Sequence, residues 1–325
     1  YFRRDLRLGD NLALSQLSEV CSHIVPVFCF DPRQIDPEKN PYYSAHSVRF
    51  LYDSLCDLDE QLRKRTNGRN GLLVLNGEPD TCLGAIVEAV HNQFSKASVA
   101  VAWNEDNTPF SLKRDETVTA KLRTTCRTHG IPLEIITDPD DSTIVPVREL
   151  RTGTGNKYQV FTPFYRKARE QGVSHPLPNP PSRVDFGIVT ENLHSHLSNV
   201  LNLSSLLQTH NLFKPLSQVT TPVRGGRHYA LERLSAKELK SRCEQYKAER
   251  ENMWEDKTTR LGPYLKFGCV SFREAYKSIV DALGSPSMPN CEALTRELFW
   301  NAFYSYVSYS FPHVLAAQLP KADRN

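Results

Sequence analysis

Four short β-rich runs, Ile24–Phe30, Leu72–Leu75, Ser98–Trp103 and Leu133–Thr137, alternate with three longer stretches that carry apolar residues at helical spacing. That alternation leaves few folds open, because a strand followed by a crossover helix returns parallel to its neighbour in a sheet covered on both faces. The intervening stretches are Ala45–Lys64, Asp80–Phe94 and Pro109–His129, and in the first Val48, Leu51, Tyr52, Leu55, Leu58 and Leu62 follow the helical period. The order predicts a doubly wound parallel sheet, an α/β domain over residues 1–138, with its ligand crevice at the carboxyl ends of the strands. No Gly-x-Gly-x-x-Gly follows any of the four runs, so the ordinary dinucleotide fingerprint is missing. Tyr1-Phe2-Arg3-Arg4-Asp5 reads as the end of a further strand entering a loop. The opening residue is not methionine, and the true start, with any targeting signal, is expected to lie before it.

At 325 residues there is room for a second domain. Residues 139–222 are rich in Pro, Asn, Ser and Thr and include Pro176-Leu177-Pro178-Asn179-Pro180-Pro181, which fits neither a helix nor a central strand. This segment reads as a linker with short helices, one of them at Pro163–Gln171 with Thr162 as N-cap. Beyond Gly225-Gly226 the β signal ends, and Ala230–Arg250, Ser271–Leu283 and Cys291–Tyr309 read as helices, the second opened by a Ser271/Glu274 capping box. Residues 223–325 are therefore expected to form an all-α domain, with the apolar pattern continuing through Phe311–Leu319 and no closing element at Lys321–Asn325.

Hydrophobic residues at 39% and charged residues at 24% describe a globular chain and exclude a disordered or fibrous one. No apolar run approaches the roughly 20 residues of a membrane span. The eight cysteines include no Cys-x-x-Cys pair, which favours reduced thiols and an intracellular location, without distinguishing nucleus, cytoplasm or organelle. Net charge is only +3, but 13 Lys and Arg stand against 8 Asp and Glu between Val223 and Lys277. A solvated helical face is the plainer account of that balance, and contact with phosphates the sharper one.

Two segments could carry chemistry. Tyr246 and Arg250 precede Thr258-Thr259-Arg260-Leu261-Gly262-Pro263-Tyr264, where hydroxyls, an arginine and free backbone N–H groups at a helix start suit a phosphate or pyrophosphate. A plain helix cap is about three times as common a use of such a Thr pair. The second is Phe299-Trp300, Phe303-Tyr304, Tyr306, Tyr309 and Phe311, on or beside one helix that also holds Glu297. Trp300, Phe303 and Tyr304 form a stripe at helical spacing, which is either core or a flat surface for a flavin ring or an unstacked base. His129, His175, His194, His196 and His210 lack metal-ligand spacing and no Gly-x-Ser-x-Gly elbow is present, so neither a metal enzyme nor a serine hydrolase is expected.

Together these motifs resemble the DNA photolyase and cryptochrome family. Phe2-Arg3-Arg4-Asp5-Leu6-Arg7-Leu8-Gly9-Asp10-Asn11-Leu12-Ala13-Leu14 resembles the start of its antenna domain, with Gly9 where histidine is commoner. Tyr158-Gln159-Val160-Phe161-Thr162-Pro163-Phe164 resembles its linker, and Gly225-Gly226 with Ala230-Leu231-Glu232-Arg233-Leu234 the entry to its flavin domain. Leu261-Gly262-Pro263-Tyr264-Leu265-Lys266-Phe267-Gly268-Cys269-Val270-Ser271 and Arg296-Glu297-Leu298-Phe299-Trp300 resemble two internal blocks.

The resemblance implies an antenna-type α/β domain and a helical FAD-binding domain, present here only in its first part. Residue by residue, it implies that Tyr246 packs by the flavin and that Thr258, Thr259, Arg260, Leu261 and Gly262 surround its pyrophosphate, Gly262 standing where a serine is usual. It implies that Arg250 contacts the DNA backbone, that Glu297 and Trp300 are the acid and the stacking indole facing a flipped pyrimidine dimer, and that Tyr304 is a DNA-side aromatic. Asn301 stands on that same flavin and DNA side where arginine is usual, which removes a permanent charge. A second, antenna chromophore is implied, with folate disfavoured because Phe110-Ser111 occupy the Asn-Glu positions of folate-binding members; a deazaflavin, a flavin or an empty pocket stay open.

The implied activity is that of a deoxyribodipyrimidine photolyase-type lyase, acting on damaged DNA by electron transfer from light-excited reduced FAD. The alternatives are a cryptochrome-type blue-light photoreceptor, with a protein partner, or an inactive truncated relative. The family's distal helical blocks, with their Asn-x-Arg, Asp-x-Asp and electron-transfer tryptophans, have no counterpart before Asn325, and Trp103, Trp254 and Trp300 match none of those tryptophans. A truncated chain with weak or lost FAD binding is the expectation; the resemblance does not fix the lesion type or the oligomeric state.

Overall fold

The computed structural model describes residues 1–94, 97–187, 193, 196–252 and 254–316; His194 and the stretch 317–325 lie outside them. The α/β part holds β1 (Val27–Phe30), β2 (Leu73–Asn76), β3 (Val99–Asn104) and β4 (Leu133–Asp138), with helices α1 (Leu12–Val20), α2 (Pro32–Ile35), α3 (Ala45–Arg65), α4 (Pro79–Gln93) and α5 (Pro109–His129). Each strand and crossover helix falls within a few residues of its sequence expectation. β1 starts only at Val27 because Pro26 withholds an N–H from the ladder.

β1 pairs in parallel with β2, and β3 with β4. The two halves are joined by Tyr1-Phe2: the Phe2 N–H donates to the Val27 carbonyl at 2.8 Å, and the Tyr1 ammonium donates to the Ala102 carbonyl at 2.8 Å. The resulting order, β2, β1, Tyr1-Phe2, β3, β4, is doubly wound, and its switch point lies where Tyr1-Phe2 meets β3. One face buries Leu14, Leu17, Leu55 and Leu58 from α1 and α3 against Phe28, Phe30 and Val74. The other buries Leu83, Ile86 and Val87 of α4 and Val118 and Leu122 of α5 against Val27, Leu73 and Trp103.

Residues 139–222 pack against both domains. Ile144, Val145, Val147, Leu150, Tyr158 and Phe164 belong to the core of the helical domain. Val184, Phe186, Leu203, Phe213 and Leu216 belong to the core of the α/β domain, and β5 (Val200–Leu201) adds antiparallel to β2. The segment thus straps both domains, its apolar residues spaced too irregularly for periodicity to reveal. Its helix α6 runs Phe161–Gln171 with Val160, not Thr162, at the N-cap. Phe161 is drawn into the helix because its ring is buried against Trp300, and Pro163 then falls in the first turn, where an N–H has no helical acceptor.

The expected helix Ala230–Arg250 is three: α8 (Arg227–Arg233), α9 (Ala236–Cys243) and α10 (Tyr246–Glu249), following α7 (Leu206–Thr209). Ser235 makes the first break, its side chain accepting from the Glu238 N–H as the N-cap of α9. Further on lie α11 (Gly262–Lys266), α12 (Phe272–Leu283), α13 (Pro289–Ser310) and α14 (His313–Ala316). The Ser271/Glu274 capping box opens α12 as the sequence predicts.

The domains meet through charge and backbone. Buried Arg7 pairs with Asp141 at 2.7 Å, and Arg273 of α12 pairs with fully buried Asp10 at 3.0 Å. The Leu6 N–H donates to the Phe267 carbonyl at 3.1 Å. Gly268 has φ +66, and a Cβ there would stand 2.0 Å from the Arg4 carbonyl oxygen, so both its conformation and its neighbour require glycine.

Candidate functional site

A cavity of about 470 Å³ lies between the domains, within the usual size range of ligand sites. Its helical wall is built by Tyr246 of α10, Thr259 and Leu261 before α11, Gly262 and Leu265 within it, Phe272 and Ile279 of α12, and Leu294, Glu297, Leu298, Asn301, Tyr304, Ser305 and Ser308 of α13. Its other wall comes from the carboxyl ends of the strands: Arg4 after Tyr1-Phe2, Asp106, Asn107 and Thr108 after β3, and Ser142 after β4. Glu297, Asn301, Tyr304, Ser305 and Ser308 recur at helical spacing, which is why one helix presents five polar groups to one space.

The cavity therefore collects Tyr246, Thr259, Leu261, Gly262, Glu297, Asn301 and Tyr304 from among the sequence candidates. Tyr246 and Leu261 are buried walls. Burial, and then the charge of Glu297, raises the Tyr246 phenol above its ordinary value. Gly262 faces open space, since a Cβ there would meet nothing within 4 Å. The Leu261 N–H donates to the Thr259 hydroxyl at 3.3 Å. Arg260 adopts φ +52 and turns its guanidinium to Asp256 at 2.8 Å, off the cavity lining. Thr258 is exposed and also off the lining. α11 has five residues, so the helix-start argument for an anion contributes little, and the hydroxyl and backbone groups of the loop are what the site offers.

Arg250 and Glu297 are bonded to each other, NH1 to Oε1 at 3.0 Å, each roughly half exposed. Trp300 is not on the lining. Its indole lies on Phe161 with centroids 3.5 Å apart and planes 8° from parallel, and Tyr304 stacks beside it at 5.8 Å. Phe161 in turn stacks on Tyr165 at 5.4 Å, so the column Tyr165–Phe161–Trp300–Tyr304 ends in the most exposed ring, Tyr304, at 62%.

Sequence reasoning missed Arg4, Asp106, Ser142 and Lys266. Three follow strand ends, where the crevice rule could have placed them; Lys266 is the last residue of α11, inside one of the sequence blocks, but carried no residue-level signal of its own. Arg4 donates to Asp106 at 3.1 Å and to the Lys266 carbonyl at 2.9 Å. These three residues also border a second cavity of about 270 Å³ at the sheet's switch point, lined further by Arg3, Asp5, Asn104, Ser111 and Arg114. Phe110 lies outside it, under the guanidinium groups of Arg33 and Arg114. Among the described residues no cluster of metal-ligating side chains occurs and no helix is long and apolar enough to cross a membrane. All eight cysteines are free thiols.

A doubly wound α/β domain strapped to a helical domain, with a cavity between them at the carboxyl ends of the strands, defines a class of two-domain ligand-binding folds. Within that class the chain belongs to the DNA photolyase family, whose family model matches residues 1–182. It is 27% identical over 321 residues to a deoxyribodipyrimidine photo-lyase of Synechococcus, covering 96% of this chain and 60% of that one. It is likewise 27% identical to cryptochrome-1 of Drosophila melanogaster, over 96% of this chain and 59% of that one. Among solved structures, the archaeal photolyase from Sulfolobus tokodaii with two FAD molecules superposes with a TM-score of 0.68 at 31% identity, covering 96% of this chain and 59% of that one. The chain thus spans about three fifths of the length of each of these three relatives.

Proposed function

We propose that this chain serves flavin-dependent, light-driven repair of pyrimidine dimers in DNA. One observation carries the reading: the space between the domains gathers Tyr246, Thr259, Leu261, Gly262, Glu297, Asn301 and Tyr304 from three separate sequence blocks. The residues present fit FAD. Tyr246, Leu261, Leu265 and Phe272 supply apolar walls for a flat ring system, and the unobstructed backbone at Gly262 with the Thr259 hydroxyl suits a pyrophosphate. Arg4 and Lys266 supply positive charge at the rim.

When bound in its reduced form, FAD supplies a light-driven electron to the dimer. The chain's own part is to bind, orient and exclude water. Arg250 would take a DNA phosphate, which requires it to leave Glu297. Glu297, so released, accepts a hydrogen bond from a ring N–H of an extrahelical pyrimidine and so orients it; only a protonated carboxyl could also donate to an oxygen that gains negative charge. Tyr304 offers the open end of an aromatic column for stacking, and a damaged site costs least to unstack. Trp300 supports that ring from behind, with Asn301 beside it as an uncharged hydrogen-bonding group. The second cavity is the place for an antenna chromophore; Phe110, held outside it, gives folate no polar contact there.

The Arg250–Glu297 pair also favours a second reading, a cryptochrome-type photoreceptor signalling to a protein partner, because it closes the two groups a lesion would need. An absorption spectrum of the purified chain after incubation with FAD, followed by light-dependent repair of a dimer-containing oligonucleotide, separates them. Flavin bands with repair support the first reading; flavin bands without repair and without dark binding to damaged DNA support the second. No flavin bands would overturn both.

A further inference from the structure

The two outer strands of the sheet differ in how their free sides are covered. β2 carries β5 antiparallel along its outer side, whereas β4 pairs with β3 alone among the described residues. On the β3 side the Val99 N–H donates to the Pro132 carbonyl and the Glu105 N–H to the Asp138 carbonyl. Backbone groups alternate sides along a strand, so the even-numbered residues of β4 serve that ladder, and Leu133, Ile135 and Thr137 turn their N–H and C=O groups outward. None of those six groups has a backbone partner among the described residues. Three donors and three acceptors in a row are a template for one more strand.

A groove of about 320 Å³ borders this edge. Cys126 of α5, Ile131, Leu133 and Ile135 line it with apolar groups, and Arg123 and Arg127 of α5 line it with charge. Both arginines are exposed. No Asp or Glu occurs from Thr117 to Leu133, a stretch that also holds Lys121 and His129, so α5 offers neither arginine a counter-ion one turn away. Their spacing matches that of a strand: four helical residues advance about 6 Å, and two strand residues about 6.6 Å. Carboxylates at positions i and i+2 of an added strand would face Arg123 and Arg127 together.

We propose that the outer edge of β4 docks a partner protein, which adds to the sheet an extended segment with Asp or Glu at alternate positions. No residue of this groove lines either cavity described above, so the site is separate from the flavin and DNA function. A second copy of the chain fits poorly. Pairing two β4 strands about a two-fold axis would set two acid-free α5 faces side by side, while Glu134 points to the face of the sheet opposite the groove. Duplex DNA would engage the arginines and leave the open amides and the apolar lining unused.

The test titrates the purified chain into fluorescein-labelled Thr-Val-Glu-Val-Glu-Val-Thr and into the same peptide with Lys for Glu, read by fluorescence polarisation. The Glu peptide is expected to bind the more tightly and to protect the Leu133, Ile135 and Thr137 amides from hydrogen exchange. Methylating one alternate set of its backbone nitrogens should abolish binding and methylating the other set should not, because only one side of a strand meets the edge. Arg123→Glu with Arg127→Glu should weaken the Glu peptide about tenfold, the effect of two exposed ion pairs, and make the Lys peptide the tighter ligand. Arg123→Gln with Arg127→Gln should fall between. Equal binding of the two peptides, unchanged exchange at the three amides, or binding by both methylated forms would overturn the proposal. So would a dimer of the chain that buries these amides, or duplex DNA that needs both arginines and excludes the peptide.

Discussion

Arg250, at the C-cap of α10, and Glu297 of α13 hold each other, with Nη1 and Oε1 3.0 Å apart, although the function proposed for each lies with DNA. The pair is half exposed, so its own contribution to stability is small, about 0.2–1 kcal/mol. Its effect is on availability: each group must give up the other before it meets a phosphate or a base.

Replacing Glu297 with Gln should therefore leave Tm within about 2 °C of the parent while strengthening dark binding to undamaged duplex DNA by about two- to fivefold, because Arg250 is released. Arg250→Gln should weaken binding to damaged and undamaged DNA alike and flatten the salt dependence by about one phosphate contact. Titrations at several salt concentrations read both. Unchanged binding in Glu297→Gln would detach the pair from DNA recognition.

At Gly262 the loop lacks a hydroxyl and has room for one. Gly262→Ser should increase FAD affinity about tenfold, the effect of one hydrogen bond to a charged phosphate, with no loss of Tm. Flavin fluorescence quenching during titration measures it, and an unchanged Kd would remove this loop from pyrophosphate contact.

Arg273 neutralises Asp10 where both side chains are buried. Arg273→Met leaves that carboxylate buried without its main partner and should cost about 3–5 kcal/mol in chemical denaturation. The double variant with Asp10→Asn should recover part of the loss; an additive double variant would show that the two residues act separately.

Glu274 links the domain entry to α12 by two bonds to Arg227, at 2.6 and 3.0 Å. Burial, the largest single influence, would raise its pKa, but the Arg227 bonds and charge, the Ser271 N–H and the charge of Arg7 together outweigh it, and the folded value lies below the ordinary 4.5. A depressed carboxyl pKa contributes stability that is complete above the unfolded value and lost as pH falls through the folded one. The stability gap between the parent and Glu274→Gln should thus be constant near neutrality and narrow below about pH 4.5. A gap independent of pH in denaturant melts would contradict this.

Phe161 joins two helices by stacking on Trp300. Phe161→Ala should cost about 3–5 kcal/mol and shift the indole emission to the red as water reaches its uncovered face. Emission at the parent wavelength would mean that Trp300 is shielded by other contacts.

The strands and crossover helices were legible because apolar spacing is a local signal: Val48 through Leu62 point one way whatever surrounds them. Tyr246, Leu261 and Glu297 were legible as members of sequence blocks, and the cavity unites them. What the sequence could not show was competition for partners. Nothing near Glu297 in the chain announces Arg250 as its counter-ion, and nothing near Trp300 announces that Phe161, more than a hundred residues earlier, covers one face of the indole. The packing of segment 139–222 was not legible for a related reason, since its core residues Leu150, Phe186 and Phe213 are placed by distant neighbours and carry no period of their own.

Gly268 leaves no room for a side chain because the backbone after Phe2 passes against it. A contact made of two main chains cannot be tuned by exchanging residues on either side; it is inherited whole or lost. The antenna-type domain and the helical domain are therefore poor cassettes for recombination. A crossover between diverged relatives in the region separating them must preserve a main-chain fit that no compensating side chain can restore, so evolution of this architecture is expected to proceed by drift within one joined unit.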